Sequence, residues 1–154
     1  MVSGNQIFTQ AQRDLLTSVL NRIIPQEEFL PGAGDLGLAG FVEETVAQKP
    51  HLRRLFTDGL AQIEIAATRQ GETGFDELSE HAKDGTLREV EASNPAFFEQ
   101  LVRQTYNGYY TDTDVFQKLG YTLPTAESLG QPPELLDESL LEQQRKRPPI
   151  WTQV

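Results

Sequence analysis

Apolar residues in this chain recur three and four positions apart in one segment after another, and no run alternates with period two over a useful length. That spacing places them on one face of a helix, whereas a half-buried strand needs alternation. Leu15, Leu16, Val19, Leu20, Ile23 and Ile24 form the first stripe. Thr9 and Gln12 ahead of it have the spacing of a capping box, and Pro25 stops it because proline cannot continue the hydrogen-bond ladder. Leu38, Phe41, Val42 and Val46 form a second stripe, with Asp35 expected as its N-cap and Lys49-Pro50 closing it. The third carries Leu52, Leu55, Phe56, Leu60, Ile63 and Ala67. Gly59 lies on the same stripe, where a glycine costs about 1 kcal/mol against alanine and so implies close approach of another helix.

Gly71 and Gly74 bracket a turn, after which Phe75 and Leu78 lead to Ser79, a cap for a helix with Ala82, Leu87 and Val90 facing inward. Asn94-Pro95 restarts the pattern, since proline at a first helical position loses no hydrogen bond. Phe97, Phe98, Leu101, Val102, Thr105 and Tyr106 continue it, and Asp112 caps a short segment with Val115, Phe116 and Leu119. Beyond Tyr121 prolines and glycine surround one amphipathic stretch near Leu135 to Leu141. At 154 residues one core is expected. The reading is an all-α fold: a single compact helical domain of about five to six helices over 8–121, with an extended, Pro-containing C-terminal docking tail over 122–154.

Thirteen Lys and Arg stand against 23 Asp and Glu, a net charge of −10, with acids crowding the stretch from Glu72 to Glu99. Nucleic acid is not expected as a partner, because phosphates bind where a positive surface releases their counterions. The sequence has no cysteine, which removes disulfides, thiolate metal sites and cysteine nucleophiles. No apolar run approaches the roughly 20 residues that span a bilayer, so direct membrane insertion is not expected. The beginning, MVSGNQIFTQ, lacks a basic region followed by an apolar core.

Residue chemistry supplies no catalytic constellation. His51 and His81 are far apart, and neither has a glutamate three residues before it, as di-iron bundles require. Glu77 and His81 are four apart, but a cap at Ser79 would put them on either side of a helix boundary. Glu43, Glu44 and Glu64 are expected on solvent faces beside apolar stripes. Phosphate-binding and nucleophile-elbow motifs are missing, and the glycines of PGAGDLG lack a preceding strand. Catalytic, cofactor-binding and metal-binding residues are therefore expected to be none in this chain.

Aromatic residues gather instead at Tyr106, Tyr109, Tyr110, Phe116 and Tyr121. Core packing accounts for such a cluster, and so does an interface, where a ring and a hydroxyl are both useful. Near the end stand Pro149, Ile150 and Trp151, a large apolar ring that calls for something to cover it.

Together, LLTSVLNRIIP at 15–25, PGAGDLGLAGFVEE at 31–44, GLAQIEIAA at 59–67, GFDELS at 74–79, NPAFFEQLVRQTYNGYY at 94–110 and LGY at 119–121 resemble the gluconate 2-dehydrogenase subunit 3 family. These are small subunits of flavin-dependent sugar and polyol dehydrogenases of the glucose-methanol-choline type. The resemblance implies an all-α accessory subunit without a flavin of its own. Its partner would be a large subunit that holds FAD and oxidises a sugar hydroxyl. Some relatives carry a twin-arginine export signal; its pattern is not found here, so a cytoplasmic complex is expected, or a periplasmic one if a signal has been removed.

Partner-binding candidates on this reading are Pro31, Gly32, Ala33 and Gly34, then Tyr106, Tyr109 and Tyr110, and finally Pro149, Ile150 and Trp151. The glycine loop is expected to need unusual backbone angles and to lie near the partner, unless it is simply a connector. Leu135 to Val154 is expected to become ordered against the large subunit, unless Trp151 folds back over the chain's own helices. The competing reading is a stand-alone helical ligand carrier or enzyme with a pocket near Tyr106 to Tyr121, which would need convergent polar groups around a cavity. If the accessory reading holds, the purified chain is colourless; a stoichiometric flavin spectrum or a tightly held transition metal would contradict it.

Overall fold

The computed structural model describes residues 6–71 and 73–122. Among them run six α-helices and a 3-10 turn: α1 (Gln10–Ile23), α2 (Leu38–Ala47), α3 (Pro50–Thr68), the 3-10 turn (Phe75–Glu77), α4 (Glu80–Ser93), α5 (Pro95–Thr111) and α6 (Thr113–Lys118). No strand occurs among the described residues, as the helical spacing of the apolar residues requires. Residues 123–154 of the expected docking tail, with Pro149, Ile150 and Trp151, lie outside the described residues.

Most helix starts are made by the side chains that the sequence offers for them. Thr9 Oγ1 accepts the Gln12 N–H at 3.2 Å while Gln12 Oε1 accepts the Thr9 N–H at 2.9 Å, completing the capping box. Ser79 Oγ accepts from Ala82 N at 3.3 Å and Asn94 Oδ1 from Phe97 N at 3.2 Å. Asp112 Oδ1 takes the N–H groups of Asp114 and Val115 at 3.0 and 3.1 Å. The second helix departs from expectation: its N-cap is Gly37 at φ +74°, not Asp35. Tight turns closed by Leu36 N–H to Gly32 O and Gly37 N–H to Gly34 O, at 3.1 and 2.9 Å, take up the intervening residues. Asp35 is engaged elsewhere, accepting from Asn21 Nδ2 at 3.1 Å. A left-handed residue at the helix entry suits glycine, which has no Cβ to clash.

α5 packs against each of the other five α-helices. It buries Phe97, Leu101, Thr105, Gly108 and Tyr109 against a core that includes Leu16, Val42, Phe56, Leu60 and Ile63. The stripe of α3 opens at Gly59 to admit this helix, because a Cβ there would run into the Phe97 ring. Phe97 in turn meets Phe56 edge-on, with centroids 5.4 Å apart and planes at 85°, the geometry in which a positive ring edge faces a negative ring face. The glycine on the third stripe thus has the close helix approach that offsets its low helix propensity.

Glu43 corrects the expectation of a solvent face. It is buried, while Glu44 is exposed and Glu64 half-buried. Arg13 reaches it with two nitrogens, Nε to Oε2 at 2.7 Å and Nη2 to Oε1 at 3.0 Å. Oε1 also accepts the backbone N–H groups of Ile7 and Phe8 at 2.8 and 3.0 Å. One carboxylate therefore fastens α1 to α2 and satisfies the free amides just ahead of α1.

The Arg13 hydrogen bond, helped by the Phe8 and Ile7 amides, holds the Glu43 carboxyl below its ordinary range against the opposing effect of burial. A carboxyl with a depressed folded pKa adds stability that is fully present above its unfolded pKa of about 4 and is lost as pH falls through the folded value. Glu43→Gln should cost about 2 kcal/mol at neutral pH. In thermal melts the gap between variant and parent should narrow toward acid; a gap independent of pH would deny the carboxylate this role.

Candidate partner-binding surface

Short-range hydrogen bonds shape the segment between α1 and α2. Pro25 prevents α1 from continuing, and Glu27 and Leu30 exchange backbone hydrogen bonds at 2.9 and 3.2 Å, closing a tight loop. Phe29 at its tip is 78% exposed. The chain then returns to α1, where Ala33 N–H donates to Ile24 O at 3.0 Å. Asn21 Oδ1 accepts the Gly34 N–H at 2.8 Å and the Asp35 N–H at 3.3 Å.

Gly32, Ala33 and Gly34 are buried, and Pro31 is half-buried. Neither Gly32 nor Gly34 has a positive φ, which corrects the expectation of unusual backbone angles. What Gly34 needs is space: a Cβ there would collide with the Thr17 carbonyl oxygen of α1. The glycine lets the returning backbone lie directly on the helix.

The loop meets the aromatic cluster at one hydrogen bond. Tyr109 is 2% exposed, and its hydroxyl donates to the Pro31 carbonyl at 2.8 Å across 78 residues of sequence. Burial raises the Tyr109 phenol pKa, and the neighbouring Tyr110, Glu27 and Asp112 raise it further. The group stays protonated and remains a donor.

Tyr106 and Tyr110, one helical turn apart on α5, behave differently. They are 43% and 50% exposed and stack with centroids 5.8 Å apart and planes at 15°. Tyr110 also meets Tyr109 edge-on at 5.4 Å. The cluster thus divides: Tyr109 belongs to the core, while Tyr106 and Tyr110 cover its outer side. Phe116 and Tyr121 pair separately at 5.0 Å.

An open depression of about 480 Å³ lies between the loop and the end of α6, lined by Glu27, Glu28, Phe29, Leu30 and Lys118. Phe29 escaped the sequence reading because a lone aromatic in a loop carries no periodicity. Its position between two glutamates and a leucine in a Pro-bounded segment is the only local signal. Asn21 and Arg13 also went unrecognised, since each acts on residues 13 or more positions away.

Elsewhere, Glu77 belongs to the 3-10 turn and His81 to α4, so they stand on either side of the Ser79 cap. No group of three or more His, Asp or Glu side chains is placed to hold a metal among the described residues. No helix there is long and apolar enough to cross a membrane.

By architecture this is an all-helical protein whose outer aromatic residues and loop tip give it a surface of the composition that protein interfaces favour. A family model described as gluconate 2-dehydrogenase subunit 3 matches residues 10–124, and the chain belongs to that family. No curated protein and no solved structure matches it.

Removing the Tyr109 hydroxyl leaves the Pro31 carbonyl without this donor, so Tyr109→Phe should lower stability by about 1 to 2 kcal/mol. Tyr106→Ser and Tyr110→Ser should stay within about 0.5 kcal/mol of the parent because their rings are already half in water. Denaturant melts of the three variants measure this, and equal losses in all of them would erase the division between core and surface tyrosines.

Proposed function

We propose that this chain is a non-catalytic small subunit that binds, and stabilises or matures, a large FAD-containing dehydrogenase of the glucose-methanol-choline type acting on a sugar or polyol. The observation that carries the reading is the family match over residues 10–124, because that family is described as subunit 3 of a gluconate dehydrogenase. A protein numbered as a third subunit works in an assembly. The match runs from the start of α1 past the end of α6, so it takes in both the loop and the outer face of α5.

The surface supports the same reading. Phe29, Tyr106 and Tyr110 are exposed, and aromatic side chains are enriched among the residues that dominate binding energy. A stack held by its own helix loses little rotamer freedom when a partner covers it. Tyr109 contributes from inside, by fixing the loop that presents Phe29. In this division of labour FAD and the reacting hydroxyl belong to the large subunit, and this chain supplies a rigid surface to it.

Co-expression with a flavoprotein of that type tests the reading: the two chains should co-purify at fixed stoichiometry, with the flavin in the large chain. Replacing Phe29, Tyr106 and Tyr110 together by serine should weaken the complex by about tenfold or more while leaving the isolated fold intact. Separate elution of the parent chains, or a flavin held by this chain alone, would overturn it.

A further inference from the structure

A second surface, sharing no residue with the aromatic face, is formed by α1, α3 and the 3-10 turn. Two shallow depressions of about 380 and 300 Å³ adjoin there, with Ala11, Leu15 and Glu64 lining both. The first is mainly apolar, with Leu60 buried beneath it, Ala61 exposed, and Ile65 52% exposed. The second is acidic, bringing Asp14, Asp76 and Glu77 to the same wall as Glu64.

Neither half is lined by a lysine or arginine. None of the four carboxylates enters an ion pair among the described residues. Asp14 accepts from Gln10 Nε2 at 2.8 Å. Its neighbour Arg13 has its guanidinium committed to Glu43. Glu64 shows the consequence: burial raises its pKa, the nearby Asp76 raises it further, and the Phe75 backbone N–H only partly offsets them. Elsewhere in the protein comparable acids have cations, as Glu43 has Arg13, and Glu80 and Asp84 have Arg22. This wall pairs an exposed apolar groove with four carboxylates that no ion pair compensates among the described residues.

We propose that the α1–α3 groove is a docking site for a polypeptide segment that lays one apolar side chain on Ala11, Ala61 and Ile65, all exposed, and sets a lysine or arginine against Glu64 and Asp76. Charge complementarity selects this occupant over an acidic or purely apolar one. A cation brought to Glu64 gains most because the carboxylate is half-buried, where screening by water is weakest. The apolar anchor gives such a segment its register, as in other recognition of amphipathic segments by grooves. The site does not depend on the flavoprotein reading and is tested without a flavoprotein.

The test is a titration of the isotopically labelled full chain with a synthetic amphipathic peptide of leucine and lysine, followed by backbone amide shifts. A matched peptide of leucine and glutamate serves as control. The basic peptide should move signals from residues 11–15, 60–65 and 73–77, and the acidic one should not. Glu64→Gln combined with Asp76→Asn should weaken binding about fivefold or more. Ile65→Ser should weaken it without altering the melt, and Glu91→Gln, at an exposed position of α4, should change nothing. Shifts spread over the acids of α4, unchanged affinity in the groove variants, or no binding at all would each overturn the proposal.

Discussion

The hydrogen bond from Tyr109 to the Pro31 carbonyl joins the two parts of this protein that local sequence preferences leave independent. One end lies in α5, which packs against every other α-helix, and the other lies in the connection between α1 and α2. A buried carbonyl without a partner costs more than one paired hydrogen bond gains. The hydroxyl therefore makes the loop conformation a property of the core. Asn21 and the bare backbone of Gly34 hold the opposite side of the same loop against α1. Between these anchors the chain has little freedom except at the tip, where Phe29 stands out.

Elements set by neighbouring residues were legible in the sequence. Thr9 with Gln12, Ser79, Asn94-Pro95 and Asp112 all start the helices they were expected to start, because a cap is decided within three or four residues. Gly59 was readable as a contact point because a glycine on an apolar stripe makes no sense without a close neighbour, though the sequence does not say that the neighbour is Phe97. Asp35 was misread because capping competes with turn formation, and the outcome there depends on Asn21, fourteen residues earlier.

The candidate surface was legible only in outline. Its tyrosines could be found by their clustering, but helical position alone did not separate buried Tyr109 from exposed Tyr106 and Tyr110. The buried glycine loop drew attention for its composition, yet what it does for the surface is to carry Phe29. Glu43 shows the same limit for charge: beside an apolar stripe a glutamate reads as solvent-facing until Arg13 and the amides ahead of α1 are brought to it by folding. Glu64 has no such cation among the described residues, and burial with the nearby Asp76 raises its pKa instead.

The central claim is that a large flavoprotein subunit covers the loop tip and the outer face of α5. Hydrogen–deuterium exchange of this chain, free and with that subunit added, tests it most directly. The account predicts slowed exchange in the Glu27 to Leu30 loop and along α5 around Tyr106 to Tyr110, with the α2–α3 connection unchanged. A bound complex in which those two segments exchange as fast as in the free chain would contradict it.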